Sequence, residues 1–208
     1  MTEKTPVAVL VSGRGSNMEA LIGACEAPDH PARIVHVISD RPDAQALARA
    51  RAAGIGTTLV DGGSHDGRAA FDAALGEAMR ATGAELFCLA GFMRILGADL
   101  VTAWQGRLLN IHPSLLPAFR GLNTHRRALE AGVTIHGATV HVVTPELDDG
   151  PIIAQAAVPV LRGDDEASLA ARVLAAEHRL YPAALALRLG RAPEAEDQSP
   201  LYSPPLPA

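Results

Sequence analysis

Aromatic residues are scarce in this chain: four Phe, two Tyr and one Trp, 3 % of 208 residues. Hydrophobic residues still make up 48 %, so the core must be built from Ala, Val, Leu and Ile. That composition suits parallel strands buried under Ala-rich helices. Cysteine is rare as well. Cys25 and Cys88 are the two present; they provide neither a disulfide framework nor a zinc-ligand spacing. One falls in a helical pattern and the other in an apolar strand, so both read as small buried hydrophobes. There is no excess of positive charge. A net charge of −5 argues against a general nucleic-acid binder, which needs a basic face, yet leaves room for local basic pockets around an anionic small molecule. No apolar run approaches the ~20 residues of a membrane span. Residues 1–6 carry no apolar signal region, so the chain is expected in the cytoplasm and off the membrane.

The length suits one domain, expected over residues 1–190 with a Pro-rich tail over 191–208. Apolar runs predict strands at 7–11, 34–38, 57–60, 86–90 and 108–112. Helical patterns fall between or beside them at 18–25, 44–53, 68–80, 98–104 and 124–131. This alternation predicts an α/β fold with a doubly wound, mostly parallel sheet. The rhythm then changes. Strands at 134–143 and 152–160 have no helix between them and predict an antiparallel pair near the C-terminal end. A last helix is expected over 168–189, interrupted or reset at Pro182.

Four clusters carry possible chemistry. Asn110 and His112 are two apart on a strand, so they share a face. An amide donor beside an imidazole can polarise a carbonyl, and open α/β sheets place ligands at such strand ends. The loop Ser12-Gly13-Arg14-Gly15-Ser16-Asn17 follows the first strand and opens a helix. It suits one phosphate, although it lacks the third glycine of a dinucleotide fingerprint, and it equally fits a Gly-rich turn capped by Ser16. Thr144-Pro145-Glu146-Leu147-Asp148-Asp149-Gly150-Pro151 reads first as a turn; an Asp reaching His112 from it would favour the imidazolium. Glu177, in Glu177-His178-Arg179-Leu180-Tyr181-Pro182, reads by itself as a solvated helix charge or as a partner for sugar hydroxyls. Metal binding is not expected. His136 and His141 are five apart, on opposite faces of a strand, and no Cys or carboxylate has ligand spacing.

These blocks, with Ala90-Gly91-Phe92-Met93-Arg94-Ile95-Leu96 and Leu109-Asn110-Ile111-His112-Pro113-Ser114-Leu115-Leu116-Pro117, occur in one order over 7–182. In that order the chain resembles the phosphoribosylglycinamide formyltransferases, the folate-dependent family that formylates glycinamide ribonucleotide (GAR). The resemblance implies a Rossmann-like formyltransferase fold and a catalytic trio of Asn110, His112 and Asp148. It implies GAR binding by Gly15, Ser16, Asn17 and Glu177. Folate binding would fall to Arg68, Met93, Arg94, Ile95, Leu96, Asn110, Thr144, Pro145, Glu146, Leu147 and Asp148. The implied partners are GAR and 10-formyltetrahydrofolate, with no metal, nucleic acid or membrane, and a monomer or homodimer. Ala118, Arg120 and Asn123 stand where the family often has Lys, Pro and His. Three rivals remain. A methionyl-tRNA formyltransferase would carry a further domain and a basic surface. A formyltetrahydrofolate hydrolase would carry a regulatory domain before the first strand. A dinucleotide oxidoreductase or nucleotide-binding module would leave Asn110, His112 and Asp148 unexplained.

Overall fold

The computed structural model describes residues 3–190; the expected tail at 191–208 lies outside them. In chain order the elements are β1 (Thr5–Val11), α1 (Ser16–Glu26), β2 (Ala32–Ser39), α2 (Gln45–Ala52), β3 (Gly56–Leu59), α3 (Gly67–Ala81), β4 (Leu86–Leu89), α4 (Ala98–Ala103), β5 (Leu108–His112), α5 (Thr124–Glu130), β6 (Ile135–Val142), β7 (Ile152–Pro159) and α6 (Glu166–Arg188). The strands form one sheet in the order β3-β2-β1-β4-β5-β6-β7. β1 to β5 pair in parallel, whereas β5–β6 and β6–β7 pair antiparallel.

Helices cover both faces of the sheet. Val7, Val9 and Val11 of β1 pack with α1, α2 and α6, and Ala8 and Leu10 pack with α3 and α4. Burial on both sides explains why β4 is apolar at all four positions instead of alternating. The strand order reverses between β1 and β4, so the loops after these two strands flank the point where such sheets take up ligands. These loops are laced together. Ser12 donates its backbone N–H to Gly91 O (3.2 Å), and its Oγ accepts from Met93 N–H (2.8 Å). Both cysteines are buried and free; burial pushes both thiols up, Cys25 to about 12.

Pro182 does not interrupt the last helix. α6 runs 23 residues through it. A proline inside a helix costs about 3 kcal/mol, but Leu169, Val173, Ala176, Leu180, Tyr181, Ala184 and Leu185 all bury against the sheet, and that packing outweighs the cost. The helix also begins before Ser168. Asp165 is the cap, and Ser168 is the third helical residue of a capping box, each side chain bonding the other's backbone N–H. Likewise Ser16 does not cap α1. That cap is Gly15, in the left-handed region at φ 83°, with no side-chain bond. A Cβ on Gly15 would lie 2.7 Å from that of Ala46, so this turn takes only glycine.

Tyr181 ties α6 to the strand ends that carry the site. Its hydroxyl lies 3.1 Å from Leu89 O and 3.0 Å from Leu109 O, fully buried. Tyr181→Phe keeps the ring and leaves both carbonyls without this donor. The expected loss is about 1–3 kcal/mol of stability, read in a denaturant melt. An unchanged melt would show that the bond is dispensable.

Candidate active site

A cleft of about 460 Å³ opens at the C-terminal ends of β4 and β5. Residues 93–96 line it from the loop after β4, Asn110 and His112 from the end of β5, residues 144–148 from the β6–β7 loop, and residues 121–125 from the segment leading into α5. Asn110 and His112 point into it together, as a strand requires of alternate residues.

The β6–β7 loop folds back far enough to bring a carboxylate to His112. Asp148 sits at φ 51°, a conformation Asp adopts more readily than most residues. A Cβ at Gly150 would lie 1.8 Å from Val142 O, so only glycine lets the loop lie this close to β6. Asp148 Oδ2 is then 3.4 Å from His112 Nδ1, with both side chains nearly buried. The same oxygen accepts from Gly121 N–H at 2.9 Å. Asp149 faces outward and pairs with Arg120. On its other side, His112 Nε2 lies 3.1 Å from Phe119 O. Both ring nitrogens therefore face acceptor oxygens.

The 93–96 segment supplies an apolar rim and a fixed backbone. Met93 and Ile95 are exposed, as is Leu147 across the cleft, whereas Leu96 is buried. Arg94 bonds Asp40 at 2.9 Å and lies over the Phe71 ring, 4.7 Å from its centroid. Its charge is thus already committed. Within the facing loop, Thr144 Oγ1 donates to Glu146 O, and Pro145 completes that wall.

Gly15, Ser16, Asn17 and Glu177 are outside the lining of this cleft and meet separately. Asn17 Nδ2 donates to Glu177 Oε2 at 2.7 Å, across 160 residues of chain. Glu177 is buried, 7 % exposed, which overturns its reading as a solvated helix charge: it faces the α1 loop instead of water. Burial pushes its carboxyl above the ordinary range, and the Asn17 bond partly opposes this. Asn17 Oδ1 is buried without a partner. Arg68 is not brought into the cleft. It lines a separate groove with Asp72 and Gly97 between α3 and α4.

The sequence patterns give His141 no role beyond an unsuited metal ligand, and they mark Arg120 and Asn123 only as departures from the family, with no site role for the 119–125 segment. His141 sits opposite Asn110 in the β5–β6 register, a pairing that only the fold supplies. Phe119 O and Gly121 N–H act through the backbone, where side-chain identity gives no clue. Among the described residues no cluster of His, Cys, Asp or Glu could hold a metal ion, and no helix is long and apolar enough to cross a membrane.

The formyl transferase family model matches residues 5–185. The chain is 48 % identical to the phosphoribosylglycinamide formyltransferase of Escherichia coli K12, covering 85 % of this chain and 83 % of that one. It is 50 % identical to part of the trifunctional purine biosynthetic protein adenosine-3 of Gallus gallus, over 89 % of this chain but only 18 % of that protein's length. The chain thus spans about a fifth of such trifunctional relatives. A crystal structure of phosphoribosylglycinamide formyltransferase from Brucella melitensis superposes with a TM-score of 0.86 at 50 % identity, covering 92 % of this chain and 98 % of that one.

Proposed function

The chain belongs to the formyl transferase family, and we propose from that premise that it moves the formyl group of 10-formyltetrahydrofolate to the amine of GAR, as a phosphoribosylglycinamide formyltransferase of purine biosynthesis. The family implies a folate-type one-carbon donor. The observation that carries the reading is the Asp148 carboxylate 3.4 Å from His112, in the cleft that Asn110 also lines.

The neutral amine attacks the formyl carbon, forming one C–N bond, and the oxygen takes up negative charge. Asn110 Nδ2 and the charged His112 ring donate to that oxygen; donors of this kind are worth roughly 3 kcal/mol each. Phe119 O occupies His112 Nε2, so Nδ1 serves the cleft. The long contact to Asp148 leaves its proton to be shared with a bound oxygen. Asp148 orients the ring and pairs with its charge. The C–N bond to the folate then breaks, and the proton lost by the attacking nitrogen goes to the departing one, through His112 or a water held by Asp148. No covalent enzyme intermediate is needed. The nucleotide's phosphate is assigned to Gly15, Ser16 and Asn17 and its ribose to Glu177. The pterin is assigned to the 93–96 and 144–148 backbones. Arg68 is assigned to the distal end of the folate, outside the cleft. The enzyme works in the cytoplasm, as a monomer or homodimer.

The test is to mix protein, GAR and 10-formyltetrahydrofolate and follow deformylated folate. Release that requires GAR supports the transfer. Release without GAR would indicate a hydrolase, and no release would overturn the assignment. The same assignment separates the two ligands. Asn17→Ala should weaken GAR about tenfold or more, the worth of a hydrogen bond to a charged group, and leave folate affinity nearly unchanged. Equal losses in titrations of both ligands would contradict this map.

A further inference from the structure

The cleft also contains His141, a histidine that the transfer mechanism does not use. His141 is 2 % exposed and paired with Asn110 across β5 and β6. Its Nδ1 lies 3.1 Å from Val142 O, and its Nε2 lies 3.2 Å from Asn110 Nδ2. At this step β7 carries one extra residue, Ile153, between the partners of Val140 and His141. Such bulges re-aim side chains and recur beside active sites.

We propose that His141 is a positioning residue for formyl transfer, its Nε2 lone pair fixing which end of the Asn110 carboxamide faces the reacting oxygen. This rests on the reading of Asn110 as an oxyanion donor.

The argument runs through the proton count. A carbonyl oxygen only accepts, so the contact to Val142 O requires the proton on Nδ1. In a neutral ring Nε2 is then an acceptor. Burial holds the ring neutral: it pushes His141 below the ordinary histidine range, the charge on His112 acts the same way, and Asp148 opposes. An acceptor 3.2 Å from the amide is matched only by the NH₂ end. One hydrogen of Nδ2 is thereby spent on His141, and the second remains for an oxygen in the cleft. A flipped amide would set Oδ1 against the Nε2 lone pair and present Oδ1 to the developing oxyanion, turning a donor into a repulsive group. A carboxamide has no intrinsic preference between its two ends, so a neighbour must impose one. Asp148 reaches this ring through Oδ1, 3.8 Å from Nε2.

The experiment uses steady-state kinetics on five variants. His141→Phe keeps the bulk and removes the acceptor. His141→Gln can place an oxygen near the Nε2 position, and His141→Asn is too short to do so. His141→Phe is expected to lower kcat about tenfold, the scale of one mis-set hydrogen bond, with little change in KM for either substrate. His141→Gln should recover most of the rate and His141→Asn should not. In an Asn110→Ala background, His141→Phe should add nothing. If the phenylalanine variant does not fold in a thermal melt, the Gln and Asn pair makes the comparison alone. A slow Asn110→Ala beside a full-speed His141→Phe, Gln and Asn variants of equal rate, or losses that multiply in the double variant would overturn the positioning role. Full-speed Asn110→Ala would instead overturn the donor reading beneath it.

Discussion

Replacing His112 with alanine is expected to lower kcat by about a hundred- to a thousandfold, the loss typical of one removed oxyanion donor. His112 bridges the Asp148 loop and the 119–125 segment, at 3.4 Å and 3.1 Å. The variant therefore needs a melting curve beside its kinetics. The core lies below the strand ends, in two clusters that do not include His112, so the melt should move far less than the rate. Asp148→Ala should be comparably slow. Asp148→Asn is more informative, because it keeps the size and removes the charge. A neutral amide cannot balance a charged ring, so Asp148→Asn should be slow although it fills the same space, and near-normal turnover in it would show that the charge is dispensable. Near-normal turnover in His112→Ala would remove that ring from the mechanism.

Glu177→Ala should weaken GAR about ten- to a hundredfold. Two ribose hydroxyls donating to a carboxylate make charge-assisted bonds of roughly 1.5–3 kcal/mol each, and water recovers part of the loss. Folate affinity should hardly change. The stability change should have the opposite sign at neutral pH. The carboxyl is pushed above the ordinary range by burial, so its contribution to stability is greatest below that range and is lost as pH rises through the folded value. Relative to the unsubstituted protein, Glu177→Ala should therefore gain stability as pH rises above the ordinary carboxylate range, offset in part by the lost Asn17 bond. Calorimetric titration of each ligand and melts across this range check both halves. Unchanged GAR affinity would make Glu177 a buried structural acid, and a stability difference independent of pH would contradict its raised pKa.

The elements that hold the site were legible because their signals are local. The alternation of strand and helix through β5, the absence of a helix between β6 and β7, and the shared face of Asn110 and His112 all follow from periodicity. What escaped depends on tertiary contact. Pro182 looked like a break because the propensity argument could not weigh the sheet packing of α6. Ser168 looked like a start because a capping-box serine carries the same local signal as a cap. Glu177 looked solvated because its partner, Asn17, lies 160 residues away. The choice of Asp148 over Asp149 rested on the family resemblance alone, because it turns on a left-handed residue and on the missing side chain of Gly150. His141 needed the β5–β6 register, which no pattern in either strand specifies.

The central claim is that His112 and Asp148 act as one unit on the reacting oxygen. The most direct measurement is a double-mutant cycle on kcat with His112→Ala, Asp148→Ala and the two combined. Residues that act through one another are strongly non-additive. The double variant should turn over no more slowly than the slower single variant. Losses that multiply would mean that the two groups contribute independently, and the 3.4 Å contact between them would have no part in the chemistry.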